Sequence, residues 1–388
     1  MPDILARRGR WAVAAMFFAN GFLTGSWAPQ IPVFLTRLQI SEFTLGLLIL
    51  VFGVGALVAM PWCGWLIHKH GSRAVLRVFA VACSFALLAV VLAGSLPVAA
   101  VTMFLFGGLI GGMDVAMNAN AVAVEGRLRR AVMSSSHGFW SLGGFAGAGM
   151  GGLMIQQYGA VAHASVVTAV AVLVVIAALR HLVAEDMQPV AQKARYALPR
   201  NAAVYLTGVI ALFSMVPEGA VLDWAALYLR QELGSDIAVA GFAFAAFSAT
   251  MAAMRFLGDG VRNRFGAVAT LRGSSLLAAT GMLAAGFAPN AWVAIAAFAI
   301  SGLGIANMIP IAFSAAGNHT GVAPGAGLST VTLMGYSGIL VAPSAIGFIG
   351  ERTGFAAVFV ALSLLLVVVC LMAGIAKVAD FRAPQAAE

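Results

Sequence analysis

The stretch LIGGMDVAMNANAVAVEGRL, residues 109–128, combines the pattern of a long apolar helix with several polar side chains. Most of its residues are apolar, yet it contains Asp114, Asn118, Asn120 and Glu125. A carboxylate or an amide in the apolar interior of a membrane is costly unless it faces a polar neighbour. The stretch therefore predicts a membrane helix whose polar face is turned towards other helices or towards water.

The composition of the whole chain also indicates a membrane protein. Of its 388 residues, 62% are hydrophobic and only 9% are charged, whereas an ordinary soluble domain has about 25% charged residues. The apolar residues come in stretches of about 20–26, which is long enough for a helix to cross a bilayer. We predict an all-α membrane protein with twelve transmembrane helices, at about residues 11–35, 43–67, 74–95, 98–123, 131–156, 161–183, 201–229, 237–257, 267–288, 291–316, 322–350 and 355–378.

Several other classes of protein are excluded by what the sequence lacks. The phosphate-binding motif G-x-x-x-x-G-K-[ST] is absent, so ATP hydrolysis is not expected. The sequence has no clustered metal ligands and no nucleophile–base arrangement, so we expect neither a cofactor nor an enzymatic activity. The first apolar stretch is too long for a cleaved signal peptide and is expected to remain as the first helix.

The distribution of basic residues predicts the orientation of the chain in a bacterial inner membrane. With the N-terminus inside, 19 of the 22 Lys and Arg residues are cytoplasmic, Arg255 among them, and Arg37, Arg230 and Arg352 are outside. Basic loops stay on the cytoplasmic side, so both termini are predicted to be cytoplasmic. This asymmetry explains the net charge of +8 without a nucleic-acid partner and gives some attraction to anionic lipid heads.

An internal repeat divides the chain into two halves. The longest polar connection separates six predicted helices from six, and a shift of 195 residues superimposes glycines of the two halves. The glycine pairs are Gly46 and Gly241, Gly71 and Gly266, Gly107 and Gly302, Gly143 and Gly338, Gly152 and Gly347, and Gly159 and Gly354. We predict an N-terminal bundle at 1–184, a cytoplasmic linker at 185–200 and a C-terminal bundle at 201–388. Parallel six-helix repeats are the arrangement of major facilitator transporters, with the substrate site near the membrane midplane.

The chain resembles a major facilitator transporter over its whole length. Between the second and third helices that family shows the motif G-x-x-x-D-R-x-G-R-[RK]. Here GWLIHKHGSR, residues 64–73, keeps Arg73 but has His68 in place of the acid, while RFLGDGVRNRFG in the second half has Asp259. Such charges can hold two bundles in one state and release them in the other. A solvated basic loop that only obeys the positive-inside rule is the alternative.

Two glycine-rich helices carry a finer resemblance. GGFAGAGMGG, residues 143–152, is similar to the G-x-x-x-G-P-x-x-G-G motif of proton-driven antiporters, with Ala148 where proline is usual, and GILVAPSAIG is its counterpart in the second half. Close helix packing explains these glycines equally well. The stretches SWAPQIP, GGMDVAMNANAVAVE, SSSHGFWSLGGFAGA, PEGAVLDWAALYLR and LMGYSGILVAPSAIG resemble the MosC-like branch, which includes YbjJ-type inner-membrane proteins. That branch implies polar, sugar-like or amino-polyol solutes.

Asp114 is the first candidate for proton coupling. On a helical wheel Asn118 lies about 40° from Asp114 and Glu125 about 20° from it, so one stripe of the helix is polar. No Lys or Arg is predicted deep in a membrane helix, so Asp114 is expected to lack a cation, with His137 as the one candidate. A desolvated carboxylate without a counter-charge can bind and release a proton as its exposure alternates. The alternative is a neutral Asp114 that only ties helices together.

The seventh helix supplies two further coupling candidates, Glu218 and Asp223. Pro217 precedes Glu218 and weakens the backbone hydrogen bonding there, which suits a gate. Asp223 lies about 140° around the helix from Glu218. Trp27 and Trp224 correspond in the two halves and are expected to be interfacial anchors, with substrate stacking as the alternative.

Other polar side chains are assigned to the substrate cavity or to gating. The cavity candidates are Asn20, Thr24, Trp27, Gln30, Asn118, His137, Ser141, Trp224, Asn307, Ser314, Thr332 and Tyr336. The gating candidates are Arg73, Glu125, Arg127, Asp259, Arg262, Pro217 and Pro343. Glu125 is expected to pair with Arg127 or Arg129.

The sequence thus predicts a secondary active transporter that works by rocking alternating access and is coupled to protons. Its partners would be a small polar or amphipathic solute, protons and membrane lipid, and it would be a monomer. The glycine-rich fifth helix favours export, while the resemblance permits import. The alternatives are an uncoupled facilitator of sugar-like or amino-polyol solutes and a solute sensor built on a transporter fold.

Overall fold

The computed structural model describes residues 2–128, 132–184, 199–319 and 326–380, and these residues are almost entirely helical. The helices are α1 (Pro2–Trp27), α2 (Gln30–Leu38), α3 (Glu42–His70), α4 (Ser72–Cys83), α5 (Ala86–Leu92), α6 (Leu96–Leu128), α7 (Met133–Tyr158), α8 (Ala160–Leu179), α9 (Ala202–Gln231), α10 (Ile237–Gly286), α11 (Ala291–Ile305), α12 (Met308–Asn318), α13 (Ala326–Thr353) and α14 (Phe355–Met372). A 3-10 helix, Ala373–Ala379, follows α14. The predicted all-α fold class is confirmed, and most of the predicted linker lies outside the described residues.

Ten helical segments of the described chain are long and apolar enough to cross a membrane. They coincide with all the predicted spans except the first and the fifth. Those two are present as α1 and α7, but small and polar residues dilute their apolar runs. Exposed apolar side chains such as Leu371 and Phe287, which are 77% and 73% exposed, suit a surface covered by lipid. The chain is a multi-pass membrane protein, and the count of twelve spans stays a prediction.

Several predicted spans are interrupted rather than straight. The first is broken at residues 28–29 between α1 and α2, and the tenth at residues 306–307 between α11 and α12. Pro29 lies in the first break, where it removes one backbone donor. The eighth and ninth spans are joined within α10 at Gly266, which has φ 78° and ψ 166°. Gly266 therefore marks a sharp bend between two membrane helices.

Glycines at equivalent positions of the two halves have the same backbone conformation in the short turns between helices. Gly71 and Gly266, 195 positions apart, have φ of 77° and 78°. Gly159 and Gly354, with the same separation, have φ of 85° and 82°. Positive φ is accessible to glycine at little steric cost. The two halves therefore turn between helices in the same way.

Equivalent glycines also permit equivalent helix contacts. Gly107 of α6 packs against the carbonyl of Phe52 in α3, and Gly302 of α11 packs against the carbonyl of Phe247 in α10. Phe52 and Phe247 are themselves 195 positions apart. Likewise α1 packs on α7, and α9 packs on α13. The repeat thus extends to the contacts between helices, while the division into two separate bundles stays a prediction.

Contacts between the halves run through α3 with α13 and α7 with α10. Gln231 Nε2 donates to Glu42 Oε1 at 2.7 Å, and the Ala238 N–H donates to Gln156 Oε1 at 2.9 Å. These bonds lie where α3 and α10 begin and where α7 and α9 end. We call this region the bonded end of the molecule.

Candidate substrate and coupling site

Asp114 lies near the middle of α6 and is partly buried. Asn118, one turn later, donates from Nδ2 to Asp114 Oδ1 at 3.3 Å and to the Asp114 backbone carbonyl at 2.9 Å. Within the described chain, no Lys or Arg forms an ion pair with Asp114. The predicted polar stripe is therefore present as a local carboxylate–amide pair.

Glu218 differs from the expectation because it has a cation. Arg255 Nη2 lies 3.4 Å from Glu218 Oε1, and the two side chains are 13% and 19% exposed, in that order. The expectation that Glu218 has no cation is therefore wrong, because Arg255 of α10 reaches this carboxylate of α9. For Asp114, the lack of a cation stays a prediction.

Arg255 also contacts the first half of the chain. Its Nη1 donates to Ser141 Oγ of α7 at 2.7 Å, and its Cζ lies 5.9 Å from the centre of the Trp140 ring. Ser248 Oγ of α10 donates to the Ser141 carbonyl at 2.7 Å. One guanidinium thus connects α7, α9 and α10.

Tyr336 of α13 lies within electrostatic range of both Asp114 and Glu218. It is partly buried, and its hydroxyl can donate to a carboxylate or accept from a solute. We refer to Asp114, Asn118, Glu218, Arg255 and Tyr336 as the polar centre. The polar centre draws on α6, α9, α10 and α13 and thus on both halves of the sequence.

His137 of α7 does not pair with Asp114. Its ring packs edge to face on Phe17, with 5.0 Å between the ring centres, and it lies within electrostatic range of Arg255. A second positive charge on His137 would be repelled by the guanidinium. The candidate counter-ion for Asp114 is therefore better described as a neighbour of Arg255.

The two tryptophans are not interfacial anchors. Trp224 is completely buried and stacks on Phe355 at 5.2 Å, and Trp27 is 5% exposed and packs edge to face on Phe34 at 5.3 Å. An anchor keeps its polar edge at the membrane–water boundary, which this burial prevents. Asp223, beside Trp224, is only 7% exposed, and no described residue donates a hydrogen bond to its carboxylate.

Asn20 and Thr24 of the first predicted span serve helix packing. Asn20 is 1% exposed, donates from Nδ2 to the Ile110 carbonyl at 3.2 Å and accepts from Trp140 Nε1 at 2.9 Å. Thr24 Oγ1 donates to the carbonyl of Asn20 at 2.9 Å. The Asn20 amide thus joins α1 to α6 and α7, which leaves little of it for a solute.

Gln30 and Asn307 are also held by neighbouring helices. Gln30 Nε2 donates to the Ala160 carbonyl at 3.0 Å and lies 2.8 Å from His163 Nδ1. Asn307 is 7% exposed and its side chain packs against Gly258 of α10. Both side chains lie in contacts between helices.

Ser314 and Thr332 are the remaining cavity candidates. Ser314 Oγ accepts from Arg262 Nη2 at 2.7 Å, and Arg262 also donates to the carbonyl of Ala379. These contacts tie α10 to α12 and to the 3-10 helix near its end. Thr332 lies one turn before Tyr336 on α13 and is partly buried.

Glu125 has partners other than those expected. Its Oε1 accepts from the N–H groups of Val132 at 2.6 Å and Met133 at 2.9 Å, so it caps the start of α7. Arg127 instead donates to the carbonyl of Ala184. The expected pair with Arg127 is therefore wrong, and Arg129 lies outside the described residues.

The other gating candidates lie at helix ends or within continuous helices. Pro217 and Pro343 are inside α9 and α13, and Gly46 of α3 packs on the carbonyl of Pro343. Arg73 lies at the start of α4. Asp259 belongs to α10, but its side chain is outside the described part of the structure.

Sequence reasoning missed Arg255 and Trp140. A helical wheel relates only residues of the same helix. Arg255 of α10 and Trp140 of α7 instead contact side chains on other helices. The available signal was that Arg255 follows residues 237–254, which contain no charged residue, and precedes the apolar residues Phe256 and Leu257. In the described ranges, no group of three or more His, Cys, Asp or Glu side chains could hold a metal ion.

Comparisons with known proteins agree with the repeat and with the fold. A family model described as Major Facilitator Superfamily matches residues 13–217 and again residues 206–386. The chain is 34% identical over 356 residues to an uncharacterised MFS-type transporter of Yersinia pestis. The aligned region covers 91% of this chain and 92% of that protein. It is also 34% identical to membrane protein MosC of Rhizobium meliloti. That aligned region covers 88% of this chain and 84% of MosC.

Two solved structures show a similar fold. A bacterial homologue of the human lysosomal transporter Spinster, in an inward-facing and occupied conformation, has a TM-score of 0.71 and 14% identity, covering 96% of this chain and 98% of that one. The nucleoside transporter NupG has a TM-score of 0.68 and 12% identity, covering 96% and 99%. At this level of identity the likeness concerns the fold alone.

Proposed function

Since the chain belongs to the major facilitator superfamily, we propose that it is a secondary active transporter that moves a small polar or amphipathic solute by proton-coupled alternating access. The polar centre is the observation that carries this proposal. It combines a carboxylate without a cation, Asp114, with the ion pair of Glu218 and Arg255. A polar solute can replace such contacts in one state, and the contacts can re-form when the solute is released.

Alternating access is supported by the way the halves touch. Residues 1–184 and 201–388 would be the two units, joined by the linker at 185–200. The halves are hydrogen-bonded at the bonded end through Glu42 and Gln231 and through Gln156 and Ala238. Exposed polar bonds of this kind are weak enough to break and re-form during rocking.

Proton coupling is assigned first to Asp114. Its only described side-chain partner is the amide of Asn118, which can hydrogen-bond the carboxyl group in either protonation state. Glu218 is less suited to this role, because it is already paired with Arg255 at 3.4 Å. Asp223 is the second candidate, because it is buried and has no described donor.

A ligand screen followed by a flux assay tests the proposal. The purified protein is screened by thermal shift against sugars, polyols and amines, because a bound solute raises the apparent stability. A solute that binds is then added to proteoliposomes that contain a pH-sensitive dye. We expect proton movement that depends on the solute and is absent from protein-free vesicles. Solute uptake without proton movement would indicate an uncoupled facilitator, and binding without uptake a sensor.

The orientation is proposed from the basic residues. The sequence assigns 19 of the 22 basic residues to the cytoplasmic side, which favours cytoplasmic termini in a bacterial inner membrane. Reporter fusions after Arg200 and after the C-terminus should both score as cytoplasmic. A periplasmic score for either fusion contradicts this orientation.

A further inference from the structure

A second polar region, away from the polar centre, lies where α1 begins and where α6 and α8 end. Four arginines line a space of about 250 Å³ there: Arg8, Arg73, Arg127 and Arg180. Among the described residues, no carboxylate lines this space. We call it the basic pocket. Four guanidinium groups around one space repel each other unless an anion lies between them.

The wall of the basic pocket is held in place by backbone hydrogen bonds. Asn120 Nδ2 donates to the Val183 carbonyl at 2.8 Å, and Arg77 Nη2 donates to the Leu179 carbonyl at 3.0 Å. Arg127 donates to the carbonyl of Ala184. The segment after α8 is therefore held in place before any ligand arrives, and the carbonyls of Val183 and Ala184 already have donors.

The side chain of Arg73 indicates independently that the basic pocket has room for a hydrogen-bond acceptor from a ligand. Its Nε is buried and has no hydrogen-bond partner in the described chain. A buried guanidinium N–H without an acceptor is unfavourable. Arg8, Arg127 and Arg180 are exposed, so the pocket is open to a ligand that could supply the acceptor.

We propose that the basic pocket binds the phosphate group of an anionic phospholipid. The planar guanidinium fork matches the oxygens of a phosphate, and several forks can share its charge. A lipid is favoured as the source because the pocket lies at the ends of membrane helices and is bordered by Leu5, which is 64% exposed. Basic pockets between membrane helices are suited to such headgroups. This site does not depend on the proposed transport activity.

The proposal is tested on the delipidated full-length protein in detergent. Binding of phosphatidylglycerol and cardiolipin is measured by native mass spectrometry, with phosphatidylcholine as the neutral lipid. The variant R8Q/R180Q should bind the anionic lipids about tenfold more weakly, with phosphatidylcholine unchanged. The control R264Q/R272Q removes the same charge from exposed positions of α10 and should bind like the parent. Equal losses in both variants would mean general charge attraction and would overturn the proposal.

A second variant keeps the charge. R8K/R180K preserves the net charge and should still bind anionic lipid several-fold more weakly than the parent, because lysine cannot form the two-pronged contact. Thermal unfolding in detergent checks that each variant is folded. Parental binding by a folded R8K/R180K would contradict recognition by guanidinium forks.

Two further arms identify the source of the anion. Inorganic phosphate and pyrophosphate are added as competitors of the lipid. If they bind and phosphatidylglycerol does not, the pocket is a site for free phosphate, and the proposal that it binds a lipid is overturned. Glu185 and Asp186 follow Ala184 directly in the sequence. If E185Q/D186N strengthens lipid binding about tenfold, carboxylates of the chain itself are the native occupants, and the proposal is overturned.

Discussion

The two halves of this protein share backbone turns and helix contacts but differ in the charged residues that they contribute to the polar centre. Two glycine pairs, Gly71 with Gly266 and Gly159 with Gly354, have nearly the same φ, and the contact of Gly107 with Phe52 recurs as that of Gly302 with Phe247. The carboxylates do not follow the repeat. Asp114 has an amide partner on its own helix, whereas Glu218 has a guanidinium from another helix.

This difference separates scaffold from mechanism. In the proposed mechanism, the repeated scaffold would let both halves tilt by the same movement, and the unequal charges would let Asp114 respond to protons while Glu218 stays paired with Arg255. Arg255 forms an ion pair with Glu218, and no described Lys or Arg forms one with Asp114. The comparison therefore assigns different tasks to two carboxylates that look alike in the sequence.

The largest expected effect is that of D114N. The amide preserves the shape and the contact with Asn118 but cannot take up a proton, so solute-driven proton movement should fall to background while solute exchange partly survives. D114E, which keeps a titratable group, should retain measurable coupling. Both are measured in proteoliposomes with a pH-sensitive dye. Normal uphill transport by D114N would transfer the coupling role to Asp223 or Glu218.

The next effect concerns the pair of Glu218 and Arg255. R255Q leaves a carboxylate without its cation, and for fully buried pairs this costs about 3–5 kcal/mol. Because these side chains are 13% and 19% exposed, we expect about 2 kcal/mol. The double variant E218Q/R255Q should recover part of the loss in thermal stability. A double variant that is no more stable than R255Q would mean that the pair is not coupled.

The fold was predictable because its signals are local. Apolar runs report membrane helices directly, and glycines at a constant spacing report the repeat. Two spans, α1 and α7, are less apolar because they face other helices along much of their length. The breaks at residues 28–29 and 306–307 were missed, because an apolar run does not reveal where its helix is interrupted.

The polar centre was only half predictable. Asp114 and Asn118 lie on one stripe of one helix, so periodicity found their contact. Glu218 and Arg255 come from different helices, and no pattern within either helix reveals the pair. Asn20 and Gln30 are polar residues in apolar spans, as Asn118 is, but the hydrogen-bond partners that bury them are on other helices. A sequence cannot distinguish such residues from those that face a solute.

A smaller effect tests the shared scaffold. A Cβ at Gly107 or Gly302 would overlap the carbonyl it packs on, so G107A and G302A should each lower the free energy of unfolding by about 1–3 kcal/mol. Gly64 and Gly273 have no atom within 4 Å of an added Cβ, so G64A and G273A are matched controls and should be neutral or slightly stabilising. Thermal unfolding measures all four. A loss in one half only would show that the halves do not share this contact.

The smallest effect is a difference in the rate of cysteine labelling. In a background with Cys63, Cys83 and Cys370 replaced by serine or alanine, single cysteines are introduced at Asn118 and Glu218, which are partly exposed, and at Asn20 and Asn307, which are 1% and 7% exposed.

Sequence reasoning predicts that all four positions react with a water-soluble thiol reagent, whereas the structure predicts fast labelling at the first two and slow labelling at the others. Cysteines at Leu87 and Leu277 should stay unreactive, because Leu87 is completely buried and Leu277, which is 38% exposed, is expected to face lipid. Bound solute should protect positions 118 and 218, since both belong to the polar centre. Labelling at Asn20 as fast as at Asn118 would mean that the α1 contact opens to water, and the solute path would then include the first span.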